Sequence, residues 1–75
     1  MSTLTKPVEG APTSELPGPD ALVGVDGNAY AVMAFVAKTL RRAGASYEYE
    51  KAYIADATSG DYDHLLAVSI AYLTD

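Results

Sequence analysis

Two short polar clusters concentrate the side chains in this chain that suit metal or proton chemistry: Asp26-Gly27-Asn28 and Gly60-Asp61-Tyr62-Asp63-His64. The oxygens of Asp26, Asn28, Asp61 and Asp63, joined by the His64 imidazole, form a donor set that suits a hard divalent ion such as magnesium, manganese or calcium. His64 is the single histidine; as a general base it would also need a nucleophile or an oriented partner in a cleft. None of the spacings matches an EF-hand loop or a His-Glu-x-x-His helix. Gly24-x-x-Gly27 before a helix resembles a phosphate loop only superficially, because Asp26 would repel phosphate and no lysine supports it. Asp and Asn are also the residues preferred at helix N-caps, and Asp63 complements a helix dipole. The expected role of the cluster is therefore structural, with Asp61 as an N-cap and His64 pinning the 26–28 segment against the start of a third helix. No catalytic residue, cofactor or metal is expected, and the protein is read as a non-enzyme.

The elements that must position these clusters follow from periodicity. Ala29, Val32, Met33, Val36, Leu40 and Ala43 fall at offsets 0, 3, 4, 7, 11 and 14, one stripe of a helix. Lys38, Arg41 and Arg42 complement its C-terminal dipole, and Gly44 suits a left-handed cap. Ser46 reads as the N-cap of a second helix with Glu48 and Glu50 in its first turn and Tyr49, Ala52, Tyr53 and Ala57 on its inner face. Thr58-Ser59-Gly60 ends it. In the third helix the stripe is Tyr62, Leu65, Leu66, Ser69, Ile70 and Leu73, at offsets 0, 3, 4, 7, 8 and 11. The helices are expected at about 27–43, 46–58 and 61–73. Short connections make sequential helices antiparallel, which brings both polar clusters to one pole and sets the basic end of helix one beside the acidic start of helix two.

Residues 1–20 differ in composition. All four prolines lie there and no aromatic residue does, so this stretch is expected to be a flexible, disordered tail, leaving residues 21–75 as an all-α three-helix domain. The 75-residue chain has no cysteine, so no disulfide braces its small core. A net charge of −5 argues against nucleic-acid binding, which needs a basic face. No apolar run approaches the roughly 20 residues of a membrane span, and no signal segment is visible. A cytoplasmic protein is expected.

Hydrophobic residues nevertheless exceed what one stripe needs. Tyr30, Ala34 and Phe35 lie off the main stripe of helix one, and Val68 and Tyr72 off that of helix three; six tyrosines add rigid contact surface. Tyr30, Ala34, Phe35 and Tyr72 are the interface candidates, for a protein partner or a second copy in a homo-oligomer. The reading is a small protein-binding or accessory module; the alternative is a small-ligand or divalent-cation domain using the pole of Asp26, Asn28, Asp61, Asp63 and His64.

Three segments, Asp26-Gly27-Asn28-Ala29-Tyr30-Ala31-Val32, Leu40-Arg41-Arg42-Ala43-Gly44 and Ala57-Thr58-Ser59-Gly60-Asp61-Tyr62-Asp63-His64-Leu65-Leu66, resemble a family of short uncharacterised bacterial, chiefly actinobacterial, and phage proteins. Tyr30 stands where many relatives carry Phe, and the end, Ala71-Tyr72-Leu73-Thr74-Asp75, lacks their Trp. The resemblance implies a small accessory protein of mobile-element origin and no particular mechanism.

Overall fold

The computed structural model describes residues 9–74, and among them it has three helices and no strand. They are α1 (Ala29–Arg42), α2 (Tyr47–Ala57) and α3 (Tyr62–Leu73), preceded by a 3-10 turn at Pro19–Leu22. Each starts at a residue that supplies a side-chain oxygen to a free backbone N–H of the first turn. Asn28 accepts from Tyr30 N at 2.7 Å, Ser46 from Tyr49 N at 3.2 Å, and Asp61 from His64 N at 2.9 Å. The expected caps at Ser46 and Asp61 are thus observed.

The end of α1 is a Schellman motif. Gly44 N donates to Arg41 O and Ala45 N to Leu40 O, while Ala45 and Leu40 bury together. Gly44 has φ +99, and a Cβ there would also strike the Thr13 side chain, so two independent constraints demand glycine. Across this turn Arg41 grips Glu50 with two parallel hydrogen bonds, Nε to Oε2 at 2.9 Å and Nη2 to Oε1 at 3.0 Å. The contact realises the expected pairing of the basic end of α1 with the acidic start of α2, and it holds the Arg41 guanidinium even higher than its ordinary pKa through the hydrogen bond and charge of Glu50.

The core is built from Val32, Val36 and Leu40 of α1, Tyr49, Tyr53 and Ala57 of α2, and Leu65, Val68, Tyr72 and Leu73 of α3. Tyr72 meets Tyr49 and Tyr53 edge to face, with centroids 5.5 and 5.2 Å apart, an arrangement that suits the ring quadrupoles. The Tyr53 hydroxyl and the Ser69 Oγ are 2.7 Å apart in this dry interior. This corrects the face expected for α3: Val68 and Tyr72 are core, while Tyr62 and Ile70 are 41% and 43% exposed. The helix is apolar nearly all round, so its periodicity alone did not choose which face turns inward.

Residues 9–20, expected to be flexible tail, instead form a strap across the opposite pole. The rest of that expected tail, residues 1–8, lies outside the described residues. Thr13 N and Ser14 N donate to Ala43 O at 2.7 and 2.9 Å, Ser46 N donates to Gly10 O at 2.9 Å, and Gly18 N donates to Leu73 O at 3.0 Å. The strap therefore completes the hydrogen bonding of two helix C-termini and one N-terminus, groups that a bare bundle leaves to water. Ala11, Leu16 and Leu22 add apolar contact with the core. Val25 also packs against the core as the chain runs on to the start of α1.

Candidate functional site

The N-termini of α1 and α3 share one pole with the C-terminal turn of α2, as the short connections require. Three devices hold it. Asp26 Oδ1 accepts from Asn28 N at 3.0 Å, closing an Asx turn ahead of α1. The Tyr62 hydroxyl donates to Gly27 O at 2.6 Å and ties that turn to α3. His64 lies on the other side of its helix, with Nε2 2.9 Å from Asp56 O, 3.1 Å from Ser59 Oγ and 3.4 Å from Asp56 Oδ1. The expected role of His64 is corrected accordingly: it locks the end of α2 to the start of α3, and Tyr62 performs the tie to residues 26–28. A tyrosine at the first helical position carried no sequence signal for that contact, because its partner is a backbone carbonyl 35 residues away.

Asp26, Asn28, Asp61, Asp63 and His64 thus all stand at one end of the bundle, as expected, but they split into separate capping and turn contacts. Asp26, Asn28 and Asp61 each receive a backbone N–H. Asp63 is exposed. Among the described residues no three His, Cys, Asp or Glu side chains form a group able to hold a metal ion.

Between these caps lies a feature the polar residues concealed: an open cleft of about 300 Å³ with mostly apolar walls. Ala29, Tyr30 and Met33 of α1 face Tyr62 and Leu65 of α3, with Ala57 of α2 closing the floor and Asp61 at the edge. Tyr30 is 79% exposed. Its ring, Met33 and the partly exposed Tyr62 ring offer adaptable apolar contact.

The four interface candidates separate clearly. Tyr30 lines the cleft, and Ala34 is exposed one turn further along α1. Phe35 is half-buried against the core. Tyr72 is a correction: at 2% exposure it is a core ring, and burial together with nearby Tyr49 and Asp56 pushes its hydroxyl pKa up to about 12. Tyr47, exposed as well, lies at the far end of α2 beneath the Lys51 ammonium, 5.3 Å from its ring centre. No helix among the described residues is long and apolar enough to cross a membrane. Compared with known proteins, the chain matches no family model, no curated protein and no solved structure.

Proposed function

We propose that the chain is a non-enzymatic protein-binding module that receives its partner in the cleft between the starts of α1 and α3. The observation that carries this reading is the pair of tyrosine rings, Tyr30 and Tyr62, standing partly in solvent over an apolar recess. Tyrosines of this kind supply large, rigid contact area at low entropic cost, the composition favoured at interface centres. A rigid three-helix frame capped at every helix end presents them without reorganisation. A cytoplasmic setting belongs to the same proposal.

The test is site-specific photo-crosslinking in the organism that naturally encodes the chain. A photoreactive phenylalanine analogue at position 30 should give a discrete adduct, lost on Met33→Asp, while the same analogue at position 47 should not. Equal adducts at both positions would reject the cleft as the contact surface.

A small-ligand reading has one observation in its favour, the cleft volume, which lies at the lower end of the roughly 300–1,000 Å³ typical of ligand pockets. A saturable rise in melting temperature with a small apolar compound, abolished by Met33→Asp, would select it over a protein partner.

A further inference from the structure

The charge around the cleft narrows the kind of partner it fits. The chain carries no lysine or arginine at residues 7–37 and none after Lys51, so the residues that line the cleft, all within 29–33 and 57–65, include no lysine or arginine; those of α1 and α2 lie elsewhere on their helices, at 38, 41, 42 and 51. Asp61 is the carboxylate that lines the cleft, and Asp26 stands nearby in the chain, one residue before the Gly27 carbonyl that receives the hydroxyl of the cleft residue Tyr62. Asp63 follows Tyr62 in the same first turn of α3 and is exposed. Asp56 is set apart from these, engaged with His64 on the far side of α3. The positive helix ends that point here are already answered by the Asn28 and Asp61 side chains. Asp26 and Asp61 each accept a backbone N–H through Oδ1, in a turn and a cap respectively.

An apolar recess with aromatic walls and a rim of one sign fits an apolar side chain accompanied by a cation. We propose that the cleft receives a segment of a partner protein in which an apolar side chain is flanked by lysine or arginine, an inference that rests on the protein-binding reading above. The apolar side chain enters between Met33 and Leu65. The cation stays at the mouth, where it meets the Asp26 and Asp61 carboxylates and the faces of Tyr30 and Tyr62, both attractive to a positive charge. A second copy of the chain is the poorer occupant. A symmetric pairing through this face would set Asp26 and Asp61 against their own equivalents with no basic residue to separate them.

The experiment uses the full chain as bait for a displayed library of short random peptides, followed by titration of the enriched peptides and amide NMR mapping. Asp26→Asn with Asp61→Asn removes both charges and retains an oxygen for each turn and cap, since Asn is itself a good N-cap. Enriched peptides should combine an apolar residue with lysine or arginine nearby and shift the amides of residues 26–33 and 61–65. Their affinity should fall with added salt, and by roughly threefold or more in the double variant, the size expected for two exposed ion pairs. Tyr30→Ala, at an exposed position, should abolish binding without loss of helicity.

Neutral apolar peptides bound in the same cleft would overturn the charge inference and leave the protein-binding reading intact. So would an affinity indifferent to the double variant, or a Tyr30-dependent dimer in sedimentation. An unenriched library, or peptides that shift amides elsewhere, would overturn both.

Discussion

At the centre of the bundle, Tyr53 and Ser69 are wholly removed from water with their hydroxyls 2.7 Å apart. Truncating one partner leaves a buried polar group short of a bond, and such a group costs about 1–3 kcal/mol. Tyr53→Phe should therefore destabilise the protein by about that amount in denaturant titration, and adding Ser69→Ala should cost less than the sum of the two single changes. The buried tyrosines also set the alkaline limit. Tyr49, Tyr53 and Tyr72 all have raised pKa values, principally from burial. A raised pKa in the fold means that the native state holds its protons where the unfolded chain has begun to lose them. Their contribution is complete below the unfolded value of about 10 and disappears as pH rises through about 12, the native value of Tyr72. Absorbance titration should show three of the six tyrosines ionising only together with loss of helical circular dichroism. At the pole, hydrogen exchange should separate two side chains with different tasks. Tyr62→Phe should speed exchange at residues 26–30, and His64→Ala at residues 56–60, because the Tyr62 hydroxyl bonds Gly27 O while His64 Nε2 contacts Asp56 O and Ser59 Oγ.

The helices were legible because their signals are local. Stripes on α1 and α2, the caps Ser46 and Asp61, and the Gly44 stop are properties of residues within one or two turns of one another. What escaped was relational. For α3, where Leu65, Leu66, Val68, Ile70, Tyr72 and Leu73 surround the axis, the buried face is decided by α1, α2 and the strap together. The contact of the Tyr62 hydroxyl with Gly27 O was hidden for the same reason, and the cleft is a property of three helix ends at once. The α1–α2 junction offers a test at this scale. Gly44→Ala meets both a left-handed backbone and the Thr13 side chain. A left-handed conformation alone costs about 1–2 kcal/mol with a Cβ, so Gly44→Ala should lose at least about that much in thermal or denaturant unfolding. Pairing it with Thr13→Gly should recover the steric part and leave the backbone part.

For the molecule as a whole, the strap is the element that composition concealed most thoroughly. Prolines and small polar residues signal an inability to build a core alone, and residues 9–18 indeed build none. They are instead held through main-chain bonds to Ala43, Ser46 and Leu73, interactions that leave no hydrophobic pattern to read. Proline even assists, because each Pro restricts the unfolded chain and so lowers the entropy lost when the strap lies down. The contribution should be appreciable in a chain this size, where a core of under roughly 80 residues rarely supplies more than about 3–5 kcal/mol. Deleting residues 1–18 frees the Ala43 and Leu73 carbonyls from the strap, removes the acceptor for Ser46 N, and strips Ala11 and Leu16 from the core. At about 0.5–1.5 kcal/mol for each hydrogen bond, stability should fall by about 2 kcal/mol or more. Deleting only residues 1–8 retains every one of those bonds, so the two truncations separate the strap from what precedes it. The expected result is a clear drop in melting temperature for the longer deletion relative to the shorter, with amide exchange accelerating first at residues 43–46 and 70–74. Equal melting temperatures for the two truncations would show that the strap contributes nothing to stability, and that the bundle satisfies those helix ends equally well with water.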